Sequence, residues 1–224
     1  MFPLDAVLTA IALGILATVA ESVRRRDGAA LVNSVVVAAV ALSPVVIDAV
    51  SVTAGLELTA WLGLAGLLHM VGMLGVYEAV WWYDHVTHTV SAALVAALSY
   101  GGLLVVTDGS RAVVALLAVG LTIAGGVCWE LIELVARALG ERFDIEPVLV
   151  HYGWDDTAYD LGFDLLGALA VVALDVDVFA ALAAQAPAAT ETALTVGTAV
   201  VVGGSVAMAV ALTLADAWPR LETE

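Results

Sequence analysis

The sequence predicts an all-α fold: a polytopic transmembrane helical bundle of six or seven spans. Three observations carry this. Of the 224 residues, 62% are hydrophobic, and the mean hydropathy is +1.04, well beyond the roughly 45–50% apolar content of soluble domains. Apolar runs of about 18 residues or more recur, each long enough to cross a ~30 Å hydrocarbon core. The runs are continuous rather than alternating, which fits helices and excludes a barrel.

The first run, residues 3–22, begins MFPLDAV. It lacks the basic stretch of a signal peptide and is expected to stay as an anchor. Arg24, Arg25 and Arg26 follow it. The second run covers 29–50 and the third 57–80; in the third, Trp61 and Trp81 are spaced to mark two interfaces about 30 Å apart. The fourth, 86–106, is followed by Arg111, and the fifth, 112–136, by Arg137 and Arg142. A connection at 140–156, GERFDIEPVLVHYGWDD, leads into the sixth run, 157–175. The stretch AAQAPAATET reads as a loop before the seventh, 192–215, which Arg220 follows. Six arginine positions then share one side and Arg111 lies opposite. By the positive-inside rule the N-terminus is outside and the C-terminus cytoplasmic. With no repeat and no long linker, residues 1–224 read as one membrane domain. Gly63, Gly66, Gly72, Gly125 and Gly126 are expected to let helices pack closely.

There are 23 acidic residues against seven arginines, with no lysine, for a net charge of −16. Such a balance excludes nucleic acid and anionic lipid as partners. It matches the surface chemistry of salt-in halophiles and points to a halophilic archaeon, which accounts for Asp144, Glu146, Asp175 and Asp177 in connections. Brine does not account for carboxylates within spans. Cys128 is the only cysteine, so no disulfide forms within the chain.

Three helix-spaced polar sets stand out. Asp84 and His88 are an i,i+4 pair in WWYDHVTH, Glu130 and Glu133 an i,i+3 pair in CWELIELVAR, and Asp156, Asp160 and Asp164 a ladder in DDTAYDLGFDLLGA. Residues so spaced share a helix face. The inferred topology brings all three sets to the cytoplasmic leaflet. An aspartate at a span centre costs roughly 2.5–3.5 kcal/mol, so Asp164 and Glu130 need partners, protons or a metal. We therefore expect one site, with Asp84, His88, Glu130, Glu133, Asp160 and Asp164 around a common point, as catalytic or metal-ligating residues of undivided role. Asp156 and His69 are weaker metal candidates. His85 and Asp155 should lie outside the circle, and His151 reads as a loop histidine.

The motifs YDHVTH, WELIE and DTAYDLGFDLLGA resemble those of the YjdF-type inner-membrane proteins, with YDxxxH, ExxE and a D-x-x-x-D ahead of an apolar helix ending in Gly-Ala. The matching positions are Asp84, His88, Glu130, Glu133, Asp156, Asp160, Asp164, Gly167 and Ala168, within residues 56–175. The chain is more distantly similar to the VanZ-like family, from which His85, Glu133 and Asp164 depart. Neither resemblance implies a settled reaction.

Three function classes follow. Imidazole and carboxylates without thiols suit Zn, Mn or Fe, which points to metal-dependent chemistry on a lipid or lipid-linked substrate at the bilayer boundary. A proton-coupled carrier would use the Asp160–Asp164 ladder, continued by His69, Asn33 and Asp48. A non-catalytic membrane protein would use the acidic cluster to tie helices together.

Overall fold

The computed structural model describes residues 4–49 and 55–214, and among them it is all helical, without strands. The helices are α1 (Leu4–Arg25), α2 (Gly28–Ala49), α3 (Gly55–Val71), α4 (Tyr77–Ala79), α5 (Tyr83–Val106), α6 (Arg111–Phe143), α7 (Trp154–Ala173), α8 (Ala180–Ala183) and α9 (Pro187–Leu214). A π-helical segment, Gly72–Val76, joins α3 to α4.

Local chemistry sets several boundaries. The Asp27 carboxylate accepts from the Ala30 amide at 2.8 Å and starts α2, a cap worth about 1 kcal/mol. Ser110 does the same for α6 through the Val113 amide at 3.4 Å. At the far end of α6, Asp144 turns left-handed, and the Ile145 amide returns to Gly140 O at 3.0 Å. Pro187 opens α9 in the first turn, where its missing N–H leaves no bond unmade. The stretch expected to be a loop there is accordingly helical on both sides of a short turn, with α8 before it.

The chain is a multi-pass membrane protein. Among the described residues, five helical stretches are long and apolar enough to cross a bilayer: Ala6–Arg25, Gly55–Ala79, Tyr83–Val106, Arg111–Phe143 and Pro187–Leu214. Two of the seven expected spans fall short of that test. The described apolar part of α2 is Gly28–Ala41, and α7 carries Asp155, Asp156, Asp160 and Asp164. Outward-facing side chains are apolar along the long helices, with Leu116 73% and Val200 65% exposed. Lipid tails, unlike water, impose no penalty on such a surface.

The third span is not one straight helix. Gly75 takes φ +99°, a left-handed conformation open to glycine, and the Tyr77 amide reaches back five residues to Gly72 O. The ring of Tyr77 folds over Gly72, where a Cβ would collide with it. Trp61 also differs from its expected role as an interface marker. Its Nε1 donates to Val90 O at 3.2 Å and its ring packs on Phe179 at 5.9 Å, so it points into the bundle.

α5 lies at the centre and packs most extensively on α7. The core between α3, α5, α6 and α7 holds Leu94, Ala96, Ala97, Tyr100, Val114, Ala118, Ala168 and Val171. Its small residues allow close helix approach. Gly167 makes the closest approach of a described glycine to a neighbouring helix's backbone: a Cβ there would collide with the Thr89 carbonyl of α5. Among the glycines that the sequence singled out for packing, Gly63 faces Ile11 and Gly66 faces Val37, while Gly125 has open space.

Candidate metal centre

The α5–α7 contact creates the first cluster. Asp84 and His88 share one face of α5, Asp160 and Asp164 one face of α7, and Gly167 lets the faces meet. His88 Nδ1 lies 3.1 Å from Asp164 Oδ1. An ionised carboxylate there would accept from Nδ1–H and leave the Nε2 lone pair facing away from Asp164. Nε2 is 3.9 Å from Asp84 Oδ1 and 3.9 Å from Asp160 Oδ2. One ligand atom from each of Asp84, His88 and Asp160 lies within 4.8 Å of the other two. Three acceptors thus converge, an arrangement that a cation satisfies. Asp160 is 2% exposed and its Oδ1 has no hydrogen-bond partner; burying such an oxygen is costly unless something compensates it.

The glutamates do not join that circle. One ligand atom from each of Glu130, Glu133 and His151 forms a second group, again within 4.8 Å. The i,i+3 spacing does place both glutamates together, but the connection at 144–153 folds back onto that part of α6 and brings His151 to them. Glu130 Oε2 accepts from Thr157 at 2.7 Å, and Glu133 Oε1 from the Trp129 indole at 2.8 Å. The residues expected around one point thus fall in two candidate clusters, with Asp164 bonded to His88 of the first. Both are mixtures of imidazole and carboxylate that suit a divalent cation such as Zn, Mn or Fe(II).

His85 also departs from expectation. Its ring stacks on Phe163 at 4.4 Å, and its Nδ1 is 3.9 Å from Asp160 Oδ1. The helices pack so closely that the neighbouring face of α5 still reaches α7. Asp155 is exposed, and Asp156 is half-buried and belongs to neither ligand group. His69 is held by neutral partners, Tyr77 OH at 3.1 Å on Nδ1 and Asn33 Oδ1 at 3.2 Å on Nε2. Eight residues of straight helix would separate His69 and Tyr77 by about 12 Å; the π-helical segment brings them together. Asn33 in turn donates to Val148 O at 2.5 Å, which fixes it at the site's end of the bundle.

A cavity of about 370 Å³ joins these parts. Asp84, His88, Asp164, Glu133, His69 and Tyr77 line its polar end. Val36, Val37, Val40, Leu62, Ala65 and Val95, from α2, α3 and α5, line it as well. Leu149, Val150 and Tyr152 of the connection close one wall. Tyr152 donates to Glu78 Oε1 at 2.7 Å, and burial together with that bond pushes its phenol pKa up. Burial, aided by the Arg137 charge, lowers the His151 pKa and favours neutral imidazole.

Several of these contributors carry little sequence signal. His151 sits in an aperiodic connection and Thr157 hides between the aspartates of DDTAYD, whereas Gly126, one of the glycines expected to permit packing, makes room for Asp164, whose Oδ2 a Cβ would strike.

No curated protein and no solved structure matches the chain. A family described as "Predicted membrane protein (DUF2238)" matches residues 6–181. This finding replaces the YjdF-type and VanZ-like resemblances, and nothing in it supports a halophilic archaeal source. It spans the site and eight of the nine helices found among the described residues, at least in part. The chain belongs to the predicted membrane protein family DUF2238.

Proposed function

We propose that this protein is a metal-dependent membrane enzyme acting on a lipid or lipid-linked substrate. Asp84, His88 and Asp160 are its metal ligands and Asp164 orients His88. The observation that carries the reading is the cavity, whose lining combines carboxylates and imidazoles with apolar side chains from three helices. That shape suits an amphipathic molecule with its polar group at the ligands and its chain along Val36, Val40 and Val95. A divalent ion there would polarise a phosphoryl or carbonyl oxygen, or activate water. It would also offset the acidic wall that an anionic headgroup would otherwise meet.

In this reading α2 and α7 also cross the bilayer, for seven spans in all. The N-terminus is outside, and the site faces the cytoplasmic leaflet. The arginine bias supports this, with Arg25 bonded to Leu74 O near the site and Arg111 paired with Asp175 at the opposite end of α7. A carrier has less behind it. Asn33 is tied to the site's end rather than continuing a relay, and the Asp48 side chain lies outside the described residues.

The test is turnover in nanodiscs. Protein stripped with chelator and reloaded with Zn, Mn or Fe(II) is given lipid extract and synthetic lipid phosphates and esters, and products are read by mass spectrometry. Metal-dependent turnover that His88→Ala abolishes is expected. Turnover indifferent to chelator and to His88→Ala would refute the reading, as would ion flux in proteoliposomes without turnover.

A further inference from the structure

The second ligand group has features that a hydrogen-bonded cluster does not need. Glu130 is 4% and His151 6% exposed. Glu130 Oε1 and His151 Nε2 are both sealed from solvent with no hydrogen-bond partner. The other oxygen of Glu130 is held by Thr157, and an oxygen of Glu133 by Trp129. Outer donors thus fix each carboxylate, as the supporting groups of metal ligands do. The three residues come from two elements, α6 and the 144–153 connection, and one ligand atom of each lies within 4.8 Å of the others.

We infer that Glu130, Glu133 and His151 bind a second divalent cation, which fastens the 144–153 connection to α6. Two carboxylates and an imidazole suit Zn, Mn or Fe(II). The fastening has a consequence for the cavity. Leu149, Val150 and Tyr152 flank His151 and line the cavity wall, so the cation holds that wall in place. None of the three ligands belongs to the Asp84–His88–Asp160 group, and the inference does not depend on the proposed enzyme activity.

The experiment uses the full chain in nanodiscs, stripped with chelator and reloaded with zinc. Bound zinc is counted by mass spectrometry, and hydrogen exchange is followed in peptides covering 144–153. Two equivalents are expected in the unaltered protein and one in either His151→Ala or His88→Ala. Zinc should slow exchange of the connection in the unaltered protein and in His88→Ala, and should not do so in His151→Ala. Glu133→Gln, nearly isosteric, guards against misfolding and should behave as His151→Ala does. A single equivalent that His151→Ala removes and His88→Ala retains would sustain this site and sink the first. Zinc content and zinc-dependent protection unchanged in both His151→Ala and Glu133→Gln would overturn it.

Discussion

His88 Nδ1 faces Asp164 Oδ1 at 3.1 Å, and this one bond between α5 and α7 decides which way the imidazole's other nitrogen looks. In the tautomer that donates from Nδ1 to Asp164, Nε2 is left to converge with Asp84 and Asp160. Asp164 is thus a positioning residue in this account, although its place in the sequence ladder suggested a ligand.

The first prediction concerns that bond. Asp164→Asn keeps an acceptor but loses the charge, and changes to such outer partners lower metal affinity roughly 10–100-fold. Zinc titration by calorimetry should show a loss of that order at the first site, and His88→Ala should abolish binding there. Unchanged affinity in Asp164→Asn would mean that the bond does not orient a ligand.

Helix approach supplies the second. Gly167→Ala sets a methyl against the Thr89 carbonyl, which cannot move without α5. Overpacking of this kind costs about 1–3 kcal/mol, and parting the helices should also weaken zinc binding. Gly162→Ala on the same helix meets open space and should be neutral or stabilising by up to about 1 kcal/mol. Thermal unfolding in detergent would distinguish them; equal melting temperatures for the two variants would contradict the packing account.

The third separates His69 from the metal. Its hydrogen-bond partners are Tyr77 and Asn33, and it belongs to neither ligand group. His69→Gln should therefore lower zinc affinity far less than His88→Ala does. A loss as large as that of His88→Ala would bring His69 into the ligand set.

The fourth concerns acid. At the opposite end of the bundle, Asp175 accepts from Tyr100 OH at 2.6 Å and pairs with Arg111, and these partners hold its carboxyl below the usual range. A carboxylate whose folded pKa is depressed stabilises the fold above the unfolded value, ~3.9, and that contribution fades as pH falls through the folded value. Exchange of amides near 174–180 should accordingly rise only below about pH 4. In Asp175→Asn it should be raised at every pH and lose this dependence. The same acid response in both proteins would show that another group governs this end.

The run lengths made the helices legible in the sequence, and the i,i+4 spacing made the shared faces of Asp84 with His88 and Asp160 with Asp164 legible too. Spacing fixes a direction only relative to a residue's own helix. It does not give the rotation of α6 against α5 and α7, so the grouping of Glu130 and Glu133 with His151 is not legible from it. His151 reaches them from a connection without periodicity. The break at Gly72–Val76 lies in an apolar run that reads as continuous helix, and only the fold shows Tyr77 turned back on His69.

The most direct measurement is anomalous diffraction at the zinc edge from crystals of the zinc-loaded protein. A peak is expected between the carboxylates of Asp84 and Asp160 and His88 Nε2, with His88 Nδ1 still on Asp164. Zinc bound elsewhere at full occupancy, with no peak between Asp84, His88 and Asp160, would contradict it.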